Sequence, residues 1–147
     1  MVIREGDNSI EFEVVDRVAA HLPTPGDVEF CVAIESNQFR GHGFAWVNAP
    51  TLTAFLEQLR ELESCRRGSA AMEGMSPGVF RLRIWSIDRR GHIAIAGMIA
   101  RDINKGEAGP YRHALEFGFE LDPTSLPSVL ARFVKMIEGN EIRESAE

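Results

Sequence analysis

Cysteine is nearly absent from this chain. Cys31 and Cys65 are the only two among 147 residues, and neither belongs to a CxxC pair or a His/Cys cluster. A zinc site wants about four closely spaced ligands, so no metal centre is expected. Cys31 sits inside the strand-like run VEFCVAI, where a thiol serves as a small buried hydrophobe. Cys65 is followed by Arg66 and Arg67, which would lower its pKa, but ordinary packing is the simpler reading for both.

Long apolar runs are missing too. The longest, around residues 92–100, falls far short of the roughly 20 residues that a membrane-spanning helix needs. The opening MVIREGDNSI carries charges where a signal peptide would carry an apolar stretch. A cytoplasmic protein with no membrane partner is expected.

Nor is there a surplus of positive charge. Lys and Arg total 16 against 22 Asp and Glu, for a net charge of −6. Residues 1–59 hold 3 basic and 9 acidic side chains, residues 60–90 hold 7 and 4, and residues 91–147 hold 6 and 9. Nucleic-acid affinity rests largely on neutralising phosphates, so no nucleic-acid partner is expected, and the central basic block reads as a solvated face.

Catalytic patterns are equally thin. His21, His42, His92 and His113 are scattered singly, and the Gly41/Gly43 pair opens neither a phosphate loop nor a strand-to-helix turn. No cofactor is implied.

What the chain does have is a composition of 44% hydrophobic and 26% charged residues, with enough length for one domain across 1–147 and a continuous core. Residues 1–8 read as a tail or edge segment. Period-two alternation marks strands at 9–18, 28–35 and 39–47, the last two joined by the polar turn Ser36, Asn37, Gln38. Gly41 and Gly43 suggest a bulge or a close approach in the third strand, and Phe44 and Trp46 share one face, read here as the core face. Thr51 is the expected N-cap of a helix whose Leu52, Phe55, Leu56, Leu59 and Leu62 form an apolar stripe. The stretch GSAAMEGMSPG, residues 68–78, reads as an irregular connection.

The pattern then resets. Strands are expected at 79–87, 92–103 and 112–121, followed by a helix with Ser125 as cap, the stripe Leu126, Val129, Leu130, Phe133, Val134 and Ile137, and a stop at Gly139 and Asn140. A shift of 73 places Phe44 on Phe117, Trp46 on Phe119 and Pro50 on Pro123, while 74 places Leu52 on Leu126 and Leu59 on Phe133; one inserted residue beside the proline reconciles the two. The expected fold is α+β: a βββα-βββα pseudo-repeat with halves at 9–67 and 79–140, each meander covered by its own helix. The simplest assembly is one antiparallel sheet of about six strands with both helices on one face, and two smaller sheets are the alternative.

Sites follow from that layout. Arg81, Arg83 and Trp85 lie opposite the apolar face of their strand, as do Arg112, Glu116 and Glu120 on theirs; Trp and Arg are enriched at binding hot spots, so this face is the candidate protein-binding surface. His42 and His113 stand near the starts of corresponding strands after Arg40 and Arg112. With Glu116 they are the candidates for the alternative, a small-molecule or enzyme pocket between the sheet and the 68–78 connection.

The helix TLTAFLEQLREL, the hairpin FRLRIWSIDRRGHIAIAGMI and the closing LEFGFELDPTSLPSVLARFV together resemble the small WapI-type bacterial immunity proteins and related domains, over about residues 9–138. That resemblance implies a non-enzymatic protein that binds and neutralises a toxin. An acidic protein would favour a basic toxin-like partner. A homo-oligomeric structural module is a third class compatible with the sequence.

Overall fold

The computed structural model of the protein describes residues 1–104, 106–109 and 111–139. Its elements are β1 (Val2–Glu5), β2 (Asn8–Arg17), β3 (Val28–Ser36), β4 (Phe39–Val47), α1 (Ala49–Cys65), β5 (Ser69–Glu73), β6 (Phe80–Ser86), β7 (Ile93–Ile103), β8 (Tyr111–Leu121) and α2 (Leu126–Glu138). The class is α+β with antiparallel sheets, as the alternation implied. There are two four-stranded sheets, β1-β2-β3-β4 and β5-β6-β7-β8, rather than one of about six.

Two short segments account for the difference in strand number. Residues 2–5 pair with β2 through a tight turn in which Gly6 has φ of 57°. Within the supposed irregular connection, Ser69–Glu73 pairs with β6, burying Ala70 and Met72 on alternate positions. Five residues, three of them Ser or Ala, carry too little alternation to announce a strand. The unit is therefore ββββα, used twice.

The β3–β4 turn has the chemistry its sequence promised. Ser36 and Phe39 are cross-strand partners, and Asn37 and Gln38 both take positive φ, which matches the twist of a two-residue hairpin. At the next junction Asn48, not Thr51, caps α1: its Oδ1 accepts a hydrogen bond from the Thr51 amide at 2.8 Å. Pro50 then lies in the first turn, where the missing N–H costs nothing. Ser125 precedes α2 without capping it, because its hydroxyl donates to the Asp122 carbonyl at 2.7 Å. Gly139 ends α2 as expected, while Asn140 lies outside the described residues.

Side-chain parity corrects the face assigned to Phe44 and Trp46. On β4 the inward positions are Gly41, Gly43, Ala45 and Val47, and Phe44 is 53% exposed. On β8 the inward positions are Leu115, Phe117, Phe119 and Leu121. A shift of 73 thus lays an outward phenylalanine on an inward one; a shift of 74 keeps every face and continues unchanged into the helices. A one-residue slip in a strand reverses all its side chains, so no insertion beside the proline is needed.

The inward glycines of β4 have a use. A Cβ on Gly41 would meet the Leu115 side chain at 3.2 Å, so the second sheet approaches β4 closely where its own side chains are absent. The Met75 amide also donates to the Trp46 carbonyl at 2.7 Å, tying the β5–β6 connection to β4.

Each helix also bonds to the other half's sheet. From α1, the Gln58 Oε1 accepts from the Ala71 amide of β5 at 3.0 Å. From α2, Arg132, 74 positions later, donates to the Val2 carbonyl of β1. Arg17, at the end of β2, donates to the Ile137 and Met136 carbonyls at 2.6 and 2.9 Å and so closes the end of α2. Its burial there pulls the guanidinium pKa below the ordinary value.

The core is one cluster drawn from both halves. Phe12 stands edge-on to Phe30 at 5.9 Å, to Phe80 at 6.2 Å and to Phe133 at 5.5 Å, and Phe133 meets Phe55 at 5.0 Å. Among the described residues no helix is long and apolar enough to cross a membrane.

Phe12→Ala is expected to cost about 3–5 kcal/mol by removing a fully buried ring, read as a fall in the urea midpoint. Trp46 and Trp85 report on different sheets. With Trp46→Phe and Trp85→Phe variants, the remaining tryptophan should give the same midpoint in each, and separated midpoints would mean that the halves unfold independently.

Candidate functional site

The outward face of the second sheet is assembled by register. Glu73, Arg81, Met98 and Glu116 form one cross-strand row, Ala71, Arg83, Ala96 and Gly118 the next, and Ser69, Trp85, Ala94 and Glu120 the third. Alternation in FRLRIWS and in IAIAGMIA forces this result: the bulky Ile and Leu positions face the core, leaving alanines outward on β7. Small residues therefore floor a trough of about 370 Å³ between the β6 arginines and Glu116 of β8.

Its walls are charged and aromatic. The Arg83 guanidinium lies 4.6 Å from the Trp85 ring centroid, a cation–π contact worth about 0.5–1 kcal/mol at an exposed site. Arg81 Nη2 donates to Glu116 Oε1 at 2.9 Å across Met98, which the pair helps to cover to 5% exposure. Both partners of that bridge are half-exposed or more, so its net contribution is on the order of 0–1 kcal/mol. It is an ion pair that a partner can open cheaply.

Of the residues singled out from the sequence, Arg81, Arg83, Trp85, Glu116 and Glu120 meet on this face. Arg112 does not reach the trough. It lies beyond the Ala100–Ala114 pair, donating to Asp102 at 3.3 Å and to the Gly78 carbonyl. The alanine floor and Met98 were not foreseen as part of a site, although their alternation with Ile93, Ile95 and Ile99 is plain in the chain.

His92 is one of the four singly scattered histidines. In the β6–β7 turn its Nδ1 lies 2.5 Å from Asp88 Oδ2, and Asp88 also accepts from the Arg90 amide at 2.7 Å. The hydrogen bond with Asp88 raises the histidine pKa, with a smaller push from the Glu120 charge, and the same bond lowers the pKa of Asp88.

His42 and His113 are brought together, but elsewhere. They line a cleft of about 160 Å³ between β4 and the β7–β8 pair, with Arg40, Arg101, Ile99 and Leu115. Glu116 belongs to the trough instead, and the 68–78 segment borders neither histidine, since β5 is stitched into the sheet at the far side. Among the described residues no three His, Cys, Asp or Glu side chains gather as a metal site. Comparison with family models, curated proteins and solved structures finds no match.

His92 should titrate above the ordinary histidine value of about 6.5, followed by its ring proton resonances, and Asp88→Asn should bring it back down. The raised His92 pKa makes its contribution to stability present at low pH and lost as pH rises through that value. The lowered Asp88 pKa makes its contribution disappear as pH falls through its own, so the pair is intact only between the two.

Proposed function

We propose that the protein is a non-enzymatic protein-binding module that neutralises a basic, toxin-like partner in the cytoplasm, docking it on the outward face of β5–β8. The observation that carries this reading is the trough itself, a small-residue floor bounded by a stacked Arg83–Trp85 pair and by Glu73 and Glu116, with Glu120 in the next cross-strand row of the same face. Trp and Arg are the side chains most enriched at binding hot spots, and a floor without bulk leaves room for a partner's side chain. Glu116, released from Arg81, and Glu120 offer acceptors to arginine or lysine. The net charge of −6 favours fast encounter with a cationic partner and disfavours nucleic acid.

The resemblance to WapI-type immunity proteins adds the neutralising role to the binding role. A second reading, a small-molecule site, is favoured by one observation: His42 and His113, far apart in sequence, share the inter-sheet cleft.

Trp85→Ala should weaken binding to a basic toxin domain encoded beside the gene by about 2 kcal/mol or more, measured by calorimetry, with Arg83→Ala additive to a smaller extent. Unchanged affinity in the double variant would move the interface off this face. Absence of any such neighbouring domain, together with failure of the two proteins to co-purify, would end the toxin reading.

A further inference from the structure

The outward faces of the two sheets carry opposite charge at equivalent central positions. Matching β4 to β8 by 74 residues places His42 on Glu116, and the ladders carry the match across each sheet. The row Val2, Glu11, Ala33 and His42 then corresponds to Glu73, Arg81, Met98 and Glu116. In the next row Glu13, Cys31 and Phe44 correspond to Arg83, Ala96 and Gly118. Where β2 carries glutamates, β6 carries arginines. The first face also has its own hollow, about 470 Å³ with Cys31 and Ala33 in its lining and Glu11, Glu35 and Arg40 around them, as Ala71 and Ala96 line the trough of the second. Each face therefore has room for long side chains from the other.

We propose that the outward face of β1–β4 in one copy of this chain docks on the outward face of β5–β8 in another. The inference goes beyond the toxin reading and does not depend on it. Both meanders share one hand, since inward Phe12 bonds on its β1 side, to Met1, and inward Phe80 on its β5 side, to Gly74. Turning the second copy end over end thus keeps the strand order and lays β2 on β6 and β4 on β8 with directions reversed. Glu11 and Glu13 then face Arg83 and Arg81, and Arg40 faces Glu120. Glu29 and Glu35, the acids of β3, fall on Ala100 and Ala94, so no like charges meet. Phe44, 53% exposed in the single chain, covers the Arg81–Glu116 pair.

The ion pairs already present do not stand in the way. Arg40–Glu35 and Arg81–Glu116 are exposed contacts of little strength, so exchanging them across an interface costs little. Stacked sheets lie about 10 Å apart, which suits interleaved glutamate and arginine side chains. A single four-stranded face is a small interface, and association in the high micromolar range is expected. The two faces lie on opposite sides of the shared core, so every contact leaves one face of each kind free. Such a heterologous contact does not close, and it adds copies as concentration rises.

The test is sedimentation velocity of the full chain from about 10 µM to about 1 mM. The weight-average sedimentation coefficient should climb with concentration and pass the dimer value without a plateau. Glu11→Lys/Glu13→Lys and Arg81→Glu/Arg83→Glu should each weaken association about tenfold or more, because like charges then face one another. Mixed in equal amounts, the two variants should associate again. The lysines of one meet the glutamates of the other, and the two unaltered faces meet each other. Both variants keep a net negative charge, so overall attraction cannot drive the mixing. Folding is checked by circular dichroism, and Phe44→Ser, at an exposed position, should by itself weaken association about fivefold whether or not both double variants fold. A chain that stays monomeric at the highest concentration, a plateau at the dimer, a folded double variant or Phe44→Ser chain that associates like the wild type, or a folded mixture that stays monomeric would each overturn the proposal. None of these measurements involves a toxin, so the two readings fail separately.

Discussion

Phe12 is the point through which the two halves become one structure. Its ring leaves β2 and stands edge-on to Phe30 of its own sheet, Phe80 of the other sheet and Phe133 of α2. Edge-to-face contacts add about 0.5–1.5 kcal/mol each to the burial of the rings. The apolar faces of both meanders and both helices are buried in one shared cluster, and each helix bonds to the opposite sheet. The exchange makes the halves mutually necessary, and the paired roles of Gln58 and Arg132 show the same solution reached twice with different chemistry.

How much of this was legible depends on side-chain size. The helices declared themselves, since Leu52, Phe55, Leu56, Leu59 and Leu62 are all buried where their spacing put them. β2, β3, β6 and β7 declared themselves through alternation. β4 misled, because its inward positions are two glycines and an alanine, and the bulky residues that catch the eye point to solvent. Hydrophobicity alone places Phe44 inside; the close approach of Leu115 to Gly41 is what forbids it. The split into two sheets was the alternative to a single sheet, with nothing in the residues to decide for it. It depends on β4 and β5 failing to pair, and α1 takes the place at β5 that a neighbouring strand would need.

The candidate face was legible to the extent that parity decides it. Arg81, Arg83 and Trp85 had to share a side with Glu116 and Glu120 once β6, β7 and β8 were neighbours. Arg112 shared the parity and still fell away, since strand length, not alternation, separates it from the trough. His42 and His113 stand 71 positions apart and are not equivalent under the 74-residue shift, so that they line one cleft was not legible from the repeat. The shared cleft arises because β4 and β8 approach each other across the halves.

Gly97 shows the same economy inside the second sheet. A Cβ there would lie 2.3 Å from the Arg81 carbonyl oxygen, and the Phe117 ring occupies the remaining space.

The side chains that join each helix to the foreign sheet have one more effect. Gln58 occupies an amide on the outer edge of β5, and Arg132 a carbonyl on the outer edge of β1. Open strand edges are templates on which further chains can polymerise, and natural proteins commonly blunt them. Here the helices act as stoppers at the β5 and β1 edges, so the contacts that hold the protein together also blunt two of its four strand edges.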